Sequence, residues 1–155
     1  MSSEIDFSAL ASIDSIKGED EQETVEFKEL HREARSYIQS FRWHGRIKNE
    51  YFGLGVAYIV AVFLFELDPD PGVDKFIWVV VGDIPPAYLV IDNAPKPICA
   101  LRGYIDLMRE WVEAVKAGIS VRDLLPVDAP PTIGNADALG KRLNFFEEHI
   151  VPQFS

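Results

Sequence analysis

The chain of 155 residues is 48% hydrophobic and 26% charged, a composition typical of one globular domain. Its formal net charge of −10 disfavours nucleic acid and anionic membranes as partners, because binding to phosphate groups needs clustered Lys and Arg. A single cysteine excludes an internal disulfide, and neither a secretory signal nor an apolar run of membrane-spanning length is found, so we predict a soluble, cytoplasmic protein.

The N-terminal part of the chain is acidic, since residues 1–30 hold nine acidic and two basic residues. We predict that residues 1–20 form a flexible acidic arm and that residues 21–155 form a single domain. The first helix is predicted over residues 21–41, where apolar residues recur at spacings of three and four. These apolar residues are Phe27, Leu30, Ala34, Ile38 and Phe41.

Three runs of β-branched and aromatic residues follow, over residues 54–67, 75–81 and 87–91. Breaks rich in Asp, Pro and Gly separate them, which predicts a three-stranded antiparallel meander. In the first run the even and the odd positions are both apolar, so we expect neither face of that strand to contact water. Either helices of the same chain cover both faces of the sheet, or a second copy covers one face in a homodimer.

The second half of the chain is predicted to be helical. A broad apolar stripe predicts a long helix over residues 98–117, and Gly118 follows its end. Residues 120–123 have the form of a capping box, which predicts a short helical turn, and a last helix is predicted over residues 136–149. The predicted fold is α+β, a three-stranded antiparallel meander flanked by helices in the order α-β-β-β-α-(short α)-α.

Together with Glu66, four aspartates are predicted to lie along one edge of the meander: Asp68, Asp70, Asp74 and Asp92. The first three resemble part of a calcium loop, but Gly72 stands one position early and Val79 replaces the closing carboxylate. A plain hairpin turn is favoured, and no metal site is predicted. The acidic edge either is simply solvated or binds a basic partner protein, and binding is the hypothesis we carry forward.

The opposite edge of the meander is predicted to gather Trp43, His44, Arg46, Tyr51 and Asp83. A His, an Arg, a Tyr and an Asp are sufficient in principle for acid/base chemistry. No spacing fixes their geometry, and the alternative is a helix-to-strand connection that Trp43 anchors by packing. His44, Arg46, Tyr51 and Asp83 are therefore the candidate catalytic residues of an alternative hypothesis, a small enzyme.

Other motifs favour a protein that is not an enzyme. Cys99 lies near the start of the second long helix, but no His is near it in the sequence, and a structural role is favoured. The three His and one Cys lack zinc-site spacing. Gly53 and Gly55 precede a strand and lack the third glycine of a dinucleotide loop, so no cofactor is predicted.

Residues 51–55, 78–89 and 120–126 together resemble small bacterial cytosolic proteins that form a domain-of-unknown-function family. The resemblance extends over residues 40–150 and implies no catalytic residue. At the level of fold alone, small acidic α+β proteins include toxin-immunity proteins and secretion chaperones.

The predicted function is a non-enzymatic protein-binding module, of an immunity-protein-like or regulatory kind. The alternatives are the small enzyme and an acidic, dimeric, chaperone-like protein. A binding module should offer a flat acidic surface, an enzyme a concave pocket that holds two or more of the candidate residues, and a chaperone a dimer with an exposed apolar groove.

Overall fold

An antiparallel sheet lies at the centre of the structure. The computed structural model describes residues 5–41, 46–68, 76–90, 95–124, 127 and 129–154. Within these residues five strands pair in chain order: β1 (Ala11–Ser12), β2 (Ile47–Val56), β3 (Val60–Leu67), β4 (Phe76–Gly82) and β5 (Ala87–Val90). The predicted α+β class is confirmed, whereas the predicted number of three strands is wrong.

The single strand predicted over residues 54–67 is wrong, because this segment contains the end of β2 and the whole of β3. β2 ends at Val56, the chain turns over residues 57–59, and β3 begins at Val60. The N–H of Ile59 donates to the carbonyl of Val56 over 3.0 Å, which closes a β-turn whose third residue, Tyr58, has a φ of 68°. Such turns usually hold Gly or Asn at this position, and the apolar run contains neither there.

Side chains of β3 and β4 alternate between two apolar layers. Leu64 and Trp78 pack with residues of α2 (Pro97–Ala117) and α3 (Ile133–Phe145), whereas Phe63 and Val79 pack with residues of α1 (Glu21–Gln39). Every residue of β3 is buried. Helices of the same chain therefore cover both faces of the sheet, which removes the reason for placing a second copy there. Homodimerisation through another surface stays an open alternative.

Local sequence rules account for the ends of the two long helices. Asp20 caps α1, because its Oδ1 accepts the N–H of Glu23 over 2.8 Å. Pro97 occupies the first turn of α2, and Gly118 ends that helix with a φ of 70°. Both helices are confirmed, with ends within two residues of the predicted ones. Among the described helices, none combines the length and hydrophobicity needed to cross a bilayer.

The short helix predicted after α2 is not formed by residues 120–124, and residues 125 and 126 at its predicted end lie outside the described residues. Ser120 Oγ accepts the N–H of Arg122, two residues on, over 3.3 Å, as in a serine turn. A capping box would instead use the N–H three residues on. Residues 120–124 accordingly form a turn, in which the N–H of Leu124 donates to Val121 over 3.1 Å.

The last helix begins three residues earlier than predicted, at Ile133. Thr132 caps it, since its Oγ1 accepts the N–H of Asn135 over 3.2 Å. The helix continues from α3 through a π-helical turn (Phe146–Ile150) into α4 (Val151–Phe154).

Part of the predicted N-terminal arm lies along the sheet. Ala11 of β1 pairs with Phe52 of β2, and the N–H of Asp6 donates to the carbonyl of Pro95 over 2.8 Å. Ile16 is buried in the same layer as α1. The flexibility expected of residues 1–20 stays a prediction.

Candidate functional site

Two residues of the predicted acidic edge are described, Glu66 and Asp68. Glu66 is buried, and its Oε1 accepts from Asn49 Nδ2 over 2.7 Å, so it does not belong to an exposed acidic surface. The N–H of Asp68 donates to the carbonyl of Arg46 over 2.9 Å, and its Oδ2 lies 4.0 Å from Arg46 Nε. Asp70, Asp74 and Asp92 lie outside the described residues. Arg46 offsets part of the negative charge at this edge, and binding of a basic partner there stays a prediction.

The candidate catalytic residues are spread along the sheet. Arg46 lies at the end where β3 finishes, whereas Asp83 follows β4 at the opposite end, roughly 30 Å away along the strands. Tyr51 lies within β2, and its ring packs against Phe7 at a centroid distance of 5.5 Å. Trp43 and His44 lie outside the described residues. The structure therefore does not bring Arg46 and Asp83 into one site.

Asp83 lines a cleft of about 360 Å³ between the turn after β4, α2 and α3. Gly82 positions it, because the φ of Gly82 is 144° and a Cβ there would stand 2.3 Å from the carbonyl oxygen of Ile59. The N–H of Asp83 donates to that same carbonyl over 3.0 Å. From α3, Arg142 Nη1 donates to Asp83 Oδ2, so an ion pair forms part of the cleft.

Tyr104 fixes the turn that carries Asp83. Its side chain is fully buried, and its Oη donates to the carbonyl of Pro85 over 2.6 Å. Burial raises the pKa of Tyr104 far above its usual range, so the phenol stays protonated and acts as a donor. The wall of the cleft on the side of the sheet is thus anchored to α2.

A second surface is formed by α1 and by the turn between β2 and β3. Tyr58 and Val25 are 58% and 49% exposed, and both line a shallow groove of about 500 Å³. The other described lining residues are acidic or polar: Glu21, Gln22, Glu26 and Glu29. This surface therefore combines exposed apolar side chains with negative charge, and its described lining includes no Lys or Arg.

The negative charge continues along α1 to Glu33. Burial, reinforced by the charge of Glu26, raises the pKa of Glu33 above its usual value. Glu26, Glu29 and Glu33 recur at helical spacing, so their carboxylates lie along one flank of the helix. Cationic groups bound along this flank would relieve the repulsion between them.

A third cluster of charged groups joins α1 to β2. Glu50 Oε2 accepts from Arg35 Nη1 over 2.6 Å, and Glu50 Oε1 lies 3.0 Å from His31 Nε2. The side chains of His31 and Glu50 are 15% and 17% exposed, and the imidazole stacks on Phe65. The cluster crosses from helix to strand, and its role is to hold α1 on the sheet.

Cys99 is half-buried in α2 and packs in the layer opposite to that of α1. His31 belongs to α1, so the sheet separates it from the thiol. Among the residues that the structure describes, no group of three or more His, Cys, Asp or Glu is arranged to hold a metal ion.

The predictions from the sequence omit three features of these surfaces: the acidic flank of α1, the turn residue Tyr58 and the Asp83 partner Arg142. The helical spacing of Glu26, Glu29 and Glu33 is visible in the sequence and could have identified the acidic flank of α1. Nothing local marks Tyr58 as a turn residue. Arg142 meets Asp83 across 59 positions of sequence, and only the folded chain joins them.

Comparisons with models of protein families, with curated proteins and with solved structures find no match to this chain. No functional residue is therefore transferred from another protein, and the resemblance to small bacterial proteins stays a prediction. The functional argument consequently depends on this chain's own geometry.

Proposed function

We propose that this protein is a non-enzymatic module, immunity-protein-like or regulatory, that binds a basic segment of a partner protein. The binding surface is the groove between α1 and Tyr58. The observation that supports it is an exposed aromatic side chain, on a backbone turn better suited to Gly, beside three glutamates.

Tyr58 has the properties of a binding residue more than those of a structural one. Its ring is 58% exposed, so it contributes little apolar burial to the core. Its φ of 68° is unfavourable for a residue with a Cβ atom. Tyr is enriched among the residues that dominate binding energy at protein interfaces, and strained residues cluster at functional sites.

The negative charge of the groove favours a positively charged partner. Glu21, Glu26 and Glu29 line it, and the whole chain carries a formal net charge of −10. Such a surface attracts cationic segments and repels nucleic acid and anionic membranes. A cytoplasmic protein with a Lys- or Arg-rich surface segment is the class of partner that fits.

The alternatives have less support. The small enzyme is predicted to hold two or more of its candidate residues in one pocket. Of these, Arg46 and Asp83 lie at opposite ends of the sheet, and His44 lies outside the described residues. A dimeric chaperone would need an uncovered apolar face, and helices cover the described sheet on both sides. The acidic edge predicted from the sequence, with the candidates Asp68, Asp70, Asp74 and Asp92, remains a second candidate surface for the same basic partner.

Affinity capture from cell lysate with matched variants tests the proposal. The groove variant replaces Glu21, Glu26 and Glu29 by Gln. Its control replaces Asp106, Glu110 and Glu113, which are exposed on α2, by the corresponding amides, so both lose the same charge. A third variant replaces Asp68, Asp70 and Asp74 by Asn, and a fourth is Tyr58→Gly.

We expect one basic protein to be retained by the wild type and by the α2 control, and to be lost from the groove and Tyr58 variants. With the purified partner, Tyr58→Gly should weaken binding about 30-fold, as for a residue contributing about 2 kcal/mol. Equal retention by the wild type and the groove variant would refute the proposal. Loss from the Asp68 variant alone would assign binding to that edge instead.

A further inference from the structure

The cleft beside Asp83 combines an apolar wall with an exposed ion pair. Pro85, Val127 and Ala138 contribute the accessible apolar part of the wall, whereas Ile84, Trp111 and Leu139 are only 8%, 2% and 5% exposed. The side chains of Asp83 and Arg142 are 66% and 47% exposed, so a molecule entering the cleft can reach both. The volume of about 360 Å³ lies in the range of small-molecule sites.

The ion pair restricts the charge of a molecule that can bind. A carboxylate that pairs with Arg142 displaces Asp83 and leaves it without a cation, and an ammonium group that pairs with Asp83 leaves Arg142 without an anion. A molecule that carries both groups close together satisfies both side chains. Exposed ion pairs exchange partners at little net cost, so the favourable free energy of binding comes from burial of an apolar group of the bound molecule.

We propose that this cleft binds the zwitterion of a free α-amino acid with an apolar side chain. The guanidinium of Arg142 donates to its carboxylate, whose two oxygens match the geometry of the fork. Asp83 accepts from the ammonium group of the amino acid, and the apolar side chain of the amino acid packs against Pro85 and Ala138. Different residues line this cleft and the groove at Tyr58, although both adjoin the β2–β3 turn, where the carbonyl of Ile59 accepts the N–H of Asp83. The proposed amino-acid site does not depend on the protein partner proposed above.

Titration of the full-length protein with L-phenylalanine and with the smaller L-leucine, followed by amide NMR signals of α3, tests the site. Two probes match phenylalanine in its apolar part: 3-phenylpropanoate lacks the ammonium group, and 2-phenylethylamine lacks the carboxylate. We expect saturable shifts at millimolar zwitterion, with about tenfold tighter binding of L-phenylalanine than of either probe. Absence of saturable shifts with both amino acids, or equal affinity for phenylalanine and its two analogues, would overturn the proposal.

Charge variants give a crossed test. Asp83→Asn should weaken binding of L-phenylalanine and strengthen that of 3-phenylpropanoate, because Arg142 is then released for an anion. Arg142→Gln should weaken L-phenylalanine and strengthen 2-phenylethylamine. Both side chains are exposed, and an unchanged amide spectrum of the free variant confirms its fold. Parallel losses for all three molecules in both variants would contradict the assignment.

The two proposals separate cleanly. Asp83→Asn and Arg142→Gln should leave capture of the basic partner unchanged, whereas the groove variant, in which Gln replaces Glu21, Glu26 and Glu29, should leave amino-acid binding unchanged. Loss of both activities in one of these variants, with its fold intact, would contradict the independence of the two sites.

Discussion

Tyr58 occupies a backbone conformation that is costly for any residue with a Cβ atom. Its φ of 68° lies in the left-handed region, at a cost of about 1–2 kcal/mol. The exposed ring recovers little of this cost through burial. A functional residue can persist under such strain when the surrounding structure fixes its backbone, as the β2–β3 hairpin does here.

Replacing Tyr58 by Gly should therefore leave stability unchanged or raise it by up to about 1 kcal/mol. Relief of the strained conformation outweighs or balances the larger conformational entropy that Gly gives to the unfolded chain. Urea unfolding followed by circular dichroism measures the effect. A loss of more than about 1 kcal/mol would mean that the tyrosine ring stabilises the fold, and the binding argument would then lose its main support.

At Gly82, unlike at Tyr58, the surrounding backbone leaves no room for a side chain. A Cβ would lie 2.3 Å from the carbonyl oxygen of Ile59, and the φ of 144° is itself unfavourable for Ala. We expect Gly82→Ala to destabilise the protein by at least about 2 kcal/mol. The control is Gly134→Ala in α3, where a Cβ meets no atom within 4 Å, and thermal unfolding should show little loss or a slight gain. Equal stability of the two variants would contradict the tight approach at Gly82.

Helix α1 is held on the sheet by both apolar and charged contacts. Phe27, Leu30, Ala34 and Ile38 are its buried residues. On the side facing β2, Glu50 bridges His31 and Arg35. Because α1 carries the acidic side of the groove, this bridge also fixes the position of the proposed binding surface.

Loss of the charge at Glu50 should release part of this anchor. Glu50→Gln keeps the shape of the side chain but weakens both charged contacts, and we expect a loss of about 1–2 kcal/mol in urea unfolding. The control is Glu147→Gln. Glu147 Oε2 lies 2.6 Å from Arg109 Nη2 at an exposed site, so we expect little change in the free energy of unfolding. A loss no larger in Glu50→Gln than in the control would show that the bridge does not anchor α1.

At the scale of the whole molecule, each apolar face of the described sheet is covered by helices of the same chain. We therefore expect a monomer in sedimentation equilibrium at micromolar concentration. A dimer that dissociates on dilution would restore the homodimer hypothesis and would place its interface on a surface other than the sheet faces.

The predicted helices agree with the structure where their ends depend on neighbouring residues. The Asp20 cap, Pro97 and Gly118 act locally, so the sequence is sufficient to place α1 and α2. The prediction fails at residues 57–59, where tertiary packing imposes a turn on an apolar run without a turn residue. It fails again at Ser120, where the hydroxyl accepts an N–H two residues on and the helical turn does not form.

The candidate surfaces could be predicted only in part. Asp83 is a candidate from the sequence, but its partner Arg142 comes from a helix 59 positions away. Arg46 and Asp83 are candidates for one site, yet the added turn at Tyr58 reverses the chain and places them at opposite ends of the sheet. A shift in strand boundaries therefore changes which side chains can meet.

The sequence by itself determined the acidic charge, the two long helices and the need to cover a sheet that is apolar on both faces, because these follow from composition and short-range periodicity. The tertiary structure decided where the chain reverses, which helices supply the cover, and which charged groups meet. Those outcomes depend on contacts between residues far apart in sequence, as at Gly82 and Ile59 or at Asp83 and Arg142, and no local pattern encodes them.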